Sequence, residues 1–239
     1  MLRRLTNLLW LRKQIMMSNK GMLLSLVIPF FLLYFYKFIN SRNGSLPEEA
    51  SIFLTMFCLN FFFNISIGIV ISSILTEEKE KGNLRTLILT GVRPLEYILS
   101  TLVFPFLHAL VLIVAAPLVL ELSLSRNFIP YVLITILTAL LVMLMYLVLG
   151  TFCKNQVNLQ VYSFPVMLVC MMLPNLVVLF PAAKWLVDLS FMGLYSKLFY
   201  DWQNFSWASS WFQVLAFLVW TALLVYVSIR RVKQLKSLA

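Results

Sequence analysis

The chain reads as an all-α, polytopic membrane protein, and three observations predict it. Apolar residues make up 62% of its 239 residues and charged residues only 12%. The apolar residues gather into runs longer than about 18 residues, the length a helix needs to cross a hydrocarbon core of about 30 Å. Lys and Arg fall mainly on alternate loops, as the positive-inside rule requires. The net charge of +10 is therefore a topology signal rather than a nucleic-acid footprint. Cys58, Cys153 and Cys170 lie in or beside apolar runs with no C-x-x-C spacing. They read as small buried hydrophobes, which argues against a disulfide framework or a thiolate metal site.

Residues 1–20 form an amphipathic prelude. Leu2, Leu5, Leu9 and Met16 share one helical face, and Arg3, Arg4, Asn7, Lys13 and Gln14 share the other. With Trp10 at the boundary, this predicts a helix lying in the headgroup layer. The apolar run Met22–Tyr36 leads into Lys37, Phe38, Ile39 and Asn40 without a small-x-small cleavage site. It is expected to be retained as the first span.

Six spans are predicted, near Gly21–Ile39, Ala50–Leu75, Leu95–Leu120, Phe128–Phe152, Val157–Ala182 and Ser209–Ile229. With the N-terminus inside, the cytosolic face collects the basic residues of 3–20, 79–93, Lys154 and the tail from Arg230. The outer face keeps Lys37, Arg42, Arg126, Lys184 and Lys197. Both termini are thus expected in the cytosol.

Between spans five and six, residues 183–208 are too polar for a seventh span yet rich in Trp, Tyr and Phe. Aromatic rings suit the lipid–water boundary. A re-entrant or surface-lying helical pair is expected there, because irregular backbone at membrane depth must be covered by protein. Neither an internal repeat nor a soluble domain is legible, so one membrane domain covers 1–239.

The densest charge lies between spans two and three, in residues 76–94. Glu77, Glu78 and Glu80 alternate with Lys79 and Lys81 before Gly82 and Asn83 interrupt the helix. Leu84, Leu87 and Ile88 then share one face of a short helix. Gly91 can close it with a left-handed cap, and Pro94 suits the first turn of the next helix with Glu96 near its positive end. This predicts a short amphipathic helix at the cytosolic membrane face, shaped to be gripped by a partner.

No enzyme signature emerges. His108, the single histidine, sits in span three with Glu96 and Glu121 at opposite ends of that span. It reads as a neutral imidazole bonded to a neighbouring helix. Glu77–Glu78 resembles the paired glutamates of intramembrane prenyl-protein proteases, but Gly82 stands where that signature needs Arg, and further histidines are lacking. The glycines never form a G-x-x-x-x-G-K phosphate loop. Asn60 and Asn64 share a face of span two at i, i+4 and are expected to make interhelical hydrogen bonds.

Glu78, Lys79, Glu80, Lys81, Gly82, Leu84, Leu87, Ile88 and Thr90 spell E-[KR]-E-[KR]-G-x-L-x-x-L-[IL]-x-T. That motif, with an amphipathic N-terminal helix and six spans, resembles the ABC-2-type permeases, membrane subunits of type-2 ATP-binding-cassette exporters. Arg85 stands where that family usually has an acidic residue, and Gly91 where it often has Pro. The resemblance implies that Gly82–Thr90 is a coupling helix seated in a groove of a separate ATPase. Leu84, Leu87 and Ile88 would fill the groove, Arg85 and Arg93 would pair with its acids, and Glu78, Glu80 and Gly82 would belong to the same coupling segment. It also implies a pair of ATPase subunits holding ATP and Mg, no cofactor or metal in this chain, and a second or paralogous permease copy. Asn60, Asn64 and Phe164 become candidates for the translocation path. The expected setting is a bacterial plasma membrane, and the expected cargo is a hydrophobic or amphipathic peptide, drug-like or lipid-like molecule. A haem-exporter-type permease shares the plan, as does a non-transporting immunity or sensor protein.

Overall fold

The computed structural model describes residues 2–41, 47–83, 86, 91–124 and 127–237. It is 86% helical, with no strand among the described residues. The elements are α1 (Leu2–Ser18), α2 (Lys20–Ser41), α3 (Glu48–Phe62), α4 (Ile69–Glu80), α5 (Pro94–Val119), α6 (Phe128–Phe152), α7 (Gln156–Leu179), α8 (Lys184–Leu189), α9 (Gly193–Tyr200) and α10 (Trp211–Ser237). A π-helical turn, Phe63–Gly68, fuses α3 to α4. Among the described residues six helices are long and apolar enough to cross a membrane: α2, the fused α3–α4, α5, α6, α7 and α10.

The fused α3–α4 rod is the centre of the bundle. Its 33 residues make it about 50 Å long, well beyond a hydrocarbon core of about 30 Å, so its charged ends clear the apolar layer. Its most apolar 18-residue stretch is 72% buried, against 17% for the same stretch of α2 and of α7. Burial tracks composition: this rod carries Ser51, Asn60, Asn64, Ser66, Ser72 and Thr76, all buried, and such polar groups are tolerated at depth when neighbouring helices surround them. α2 and α7 keep large apolar side chains outward, including Phe31 and Tyr34 on the first and Val157, Val161 and Leu168 on the second.

Small residues set the closest crossing. A Cβ on Gly150 of α6 would lie 3.1 Å from the Ser72 Cα of α4, so the two backbones meet there. One turn away, Gly68 lies under the ring of Tyr146, where a Cβ would sit 2.6 Å from Cε2.

Between the fifth and sixth spans the chain is helical, as expected, but α9 is not peripheral. Leu194, Tyr195, Leu198 and Phe199 are buried against α3, α6 and α10, and the Tyr195 hydroxyl donates to the Met56 carbonyl at 2.7 Å. Trp185 and Leu189 of α8 are exposed.

The N-terminal helix departs from its expected face. Its buried stripe is Leu8, Arg12 and Met16, spaced i, i+4, i+8, with Leu5 and Leu9 only half-buried. The helix packs along α5 and touches α4, and that contact rotates the stripe. Asn19 then makes the elbow into α2. Its side-chain carbonyl accepts from the Gly21 and Met22 backbone N–H groups at 3.1 and 3.3 Å, capping the first span.

Candidate functional site

The last turn of α4 carries four consecutive charged residues, and the structure sends each to a different element. Glu78 is 0% exposed and receives the Arg12 guanidinium, itself 1% exposed, through Arg12 Nη1. The Tyr97 hydroxyl donates to the other Glu78 oxygen at 2.6 Å, and the guanidinium carbon lies 4.8 Å from the centre of the Tyr97 ring. Arg12 thus gains a carboxylate and a ring face together. Its Nε and Nη2 have no hydrogen-bond partner among the described residues, so the triad rests on Glu78 and Tyr97.

Lys79 turns the other way. Its ammonium donates to the carbonyls of Gly150 at 3.3 Å, Thr151 at 2.8 Å and Cys153. Those are carbonyls of the α6 C-terminus, which lack intrahelical donors and carry the negative end of the helix dipole. Lys79→Met is therefore expected to destabilise the protein by about 1 kcal/mol, with hydrogen exchange accelerating at 150–156, as hydrogen-exchange mass spectrometry would read.

Glu80 reaches the next element. Its carboxylate accepts from the Gln156 backbone N–H at 3.2 Å, and the Gln156 amide donates to the Ser73 carbonyl at 2.9 Å. Asn155 caps the same helix start, accepting from Asn158 N–H at 2.9 Å. Glu77 faces the surface side, accepting from Asn19 at 3.3 Å and pairing with Lys81 at i, i+4. That pairing holds the exposed Lys81 ammonium above its ordinary pKa, through the hydrogen bond and then the attraction of Glu77.

One short turn therefore ties together α1, the α1–α2 elbow, α5, the end of α6 and the start of α7. The Glu78–Tyr97 bond also joins both stems of the 81–93 loop, because Tyr97 lies in the first turn of α5. At the loop's entry Gly82 is left-handed (φ 70°) and at its exit Gly91 is too (φ 78°). Pro94 opens α5, and Glu96 accepts from the Arg93 backbone N–H at 3.0 Å. The punctuation read from the sequence is thus present, with Gly82 and Arg93 exposed. Leu84, Arg85, Leu87, Ile88 and Thr90 lie outside the described residues.

Of the residues assigned to coupling, Glu78 faces inward rather than toward a partner. Arg12 and Tyr97 were missed as its ligands. The legible signal was an Arg placed four residues from Leu8 and four from Met16, on an apolar stripe.

A second cluster surrounds the π-helical turn. The Asn60 amide donates to the Cys170 carbonyl of α7 at 3.1 Å. The Asn64 amide donates to the Asn60 carbonyl at 2.8 Å, and Tyr146 of α6 donates to Asn64 Oδ1 at 3.2 Å. The Asn60 carbonyl also accepts from the Phe63 backbone N–H where the π turn begins, so the Asn64 amide is a second donor to it. Within one copy of the chain Asn60 and Asn64 are buried in these interhelical bonds, whereas Phe164 is 58% exposed on α7. The structure does not bring the three together. His108 packs its ring edge-on to Phe30, 5.6 Å between centroids, and its Nε2 has no hydrogen-bond partner. The three cysteines are buried and free.

No curated protein matches the chain. The family model described as ABC-2 family transporter protein matches residues 36–229, which takes in the last residues of α2 and the five later spans up to the last turns of α10. The match thus covers the α4 charged turn, the loop it clamps and the π-helical cluster. With six membrane-spanning helices and that match, the chain belongs to the ABC-2 transporter family and is a permease component of an ABC-type transporter.

Proposed function

We propose that the chain exports a hydrophobic or amphipathic substrate using ATP hydrolysed by separate ATP-binding-cassette subunits, and that residues 81–93 are where that partner pushes. The observation that carries this reading is the closed base of the loop. Both stems are joined by Glu78 and Tyr97, and the same turn grips α1, α6 and α7. A force applied to such a loop moves several spans as a unit rather than bending one stem.

In this reading Leu84, Leu87 and Ile88 dock in the ATPase groove and Arg85 and Arg93 pair with its acids. Glu80 and Gly82 belong to the loop's entry, and Glu78 transmits rather than docks. ATP binding draws the two ATPases together and biases the bundle between two arrangements. The exposed apolar faces of α2 and α7 are the surfaces available to lipid and to a second permease copy, and Asn60, Asn64 and Phe164 would flank a path only in such a pair. Both termini lie in the cytosol of a bacterial cell, as the distribution of Lys and Arg argues.

Leu87→Asp tests the docking. Placing a charge in an apolar groove costs several kcal/mol, so co-purification of the ATPase and ATP-dependent transport into inverted vesicles should both be lost. Transport at the native rate with Leu87→Asp would rule out this loop as the docking element.

A further inference from the structure

The geometry points to a binding site for a lipophilic organic cation at the end of the bundle opposite Glu78. There a cleft of about 440 Å³ opens between the first turns of α3 and the end of α9 with its following turn. Its size is that of a pocket for a small organic molecule. Ile52, Phe53 and Met56 form one wall, and Phe199, Tyr200 and Trp202 the other.

The aromatic wall is built rather than incidental. Phe199 and Trp202 are buried and stacked, with ring centroids 5.7 Å apart and planes 20° apart, and the aromatic lining residues exposed to the cleft are Phe53 and Tyr200. Tyr131 meets both rings edge-on at 6.2 Å. Asn127 donates to the Trp202 carbonyl, and Tyr200 donates to the Pro174 carbonyl at 2.9 Å. A wall held this way loses little conformational freedom when a ligand arrives.

The charge of the cleft sets the class of ligand. Glu49 and Asp201 are its charged lining residues, and no Lys or Arg is among the described residues that line it, in a chain whose net charge is +10. Glu49 is exposed and has no ion-pair partner among the described residues. Asp201 caps the C-terminal end of α9, where the helix dipole is negative, and meets Lys197 at 3.6 Å on an exposed edge. Aromatic faces beside carboxylates attract a cation with an apolar body and repel the anion of the same shape. This site stands apart from the coupling loop and does not depend on the direction of transport.

Purified full-length protein in nanodiscs, without nucleotide, should be titrated with tetraphenylphosphonium and with tetraphenylborate, its same-shaped anion, following tryptophan fluorescence. Saturable binding of the cation is expected. The double variant Glu49→Gln/Asp201→Asn should weaken it about tenfold while leaving the weaker borate response unchanged. Phe53→Ala, an exposed wall residue, should weaken the cation several-fold at an unchanged thermal midpoint. Equal binding of the two ions, or cation affinity unmoved by either variant, would overturn the proposal without bearing on the ATPase-docking test.

Discussion

Glu78→Ala should be among the most damaging single substitutions in the chain, costing about 3–5 kcal/mol. It strands the Arg12 guanidinium, 1% exposed and with two nitrogens already unpartnered among the described residues, without its carboxylate. It also removes the acceptor of the Tyr97 hydroxyl. By the ordinary scaling for a chain of this size, the thermal midpoint should fall by about 10 °C. Arg12→Met should cost less, because Tyr97 still donates to the carboxylate it leaves behind. The double variant Arg12→Met/Glu78→Leu should recover most of the loss, since an apolar pair is often as stable as a buried ion pair. Thermal unfolding of the three variants in one detergent reads all of this. A double variant no better than Glu78→Ala alone would mean that the carboxylate is needed for packing rather than for charge.

Gly68→Leu should be comparably severe. Even one Cβ at this position would overlap the Tyr146 ring, 2.6 Å from Cε2 and 2.7 Å from Cγ, and the ring is held between the π-helical turn and α6. Overpacking of this kind costs about 1–3 kcal/mol for added methylenes in a tight core, and a leucine adds four carbons. Pushing the ring aside also breaks the Tyr146–Asn64 bond, which leaves a polar atom of Asn64 less satisfied at depth. Gly68→Leu combined with Tyr146→Ala should restore part of the stability, because the vacated ring volume accepts the new side chain. Unfolding in increasing SDS, compared across the single and double variants, gives the measurement. A Gly68→Leu protein as stable as the native one would show that the π-helical turn is not packed against the Tyr146 ring.

These two sites mark where sequence reasoning stopped. The six spans were legible because run length and hydropathy respond to the bilayer, and their ends fell close to Lys20, Val119, Phe152 and Leu179, while the second span runs past its expected end at Leu75 to Glu80. Gly82, Gly91, Pro94 and Glu96 were legible because backbone geometry is local: a left-handed residue or a helix start is written in a few neighbours. The interhelical role expected for Asn60 and Asn64 was also within reach, since a buried amide must find partners. The π-helical turn was not, because one extra residue in a helix leaves no compositional mark. The inward direction of Glu78 was not legible for a related reason. A run of alternating charge looks like a solvated face, yet Glu80 and Lys81 are the exposed members of this one and Glu78 is fully buried. The partner that draws Glu78 inward is Arg12, 66 residues earlier. Arg12 passed as one more cytosolic positive charge until the packing of α1 on α5 placed it.

The central claim is that the charged turn at the end of α4 carries work from the loop to the spans. It is tested most directly in the assembled transporter, with its ATP-binding-cassette partner in proteoliposomes, by measuring substrate moved per ATP hydrolysed. The variant to compare is Arg12→Met/Glu78→Leu, chosen because it should recover most of the native stability. ATP turnover should continue while transport per ATP falls at least several-fold, since the apolar pair keeps the packing but loses the directional bonds that join α1, α4 and α5. Transport per ATP equal to that of the native protein would contradict the claim and leave the turn as a structural brace alone.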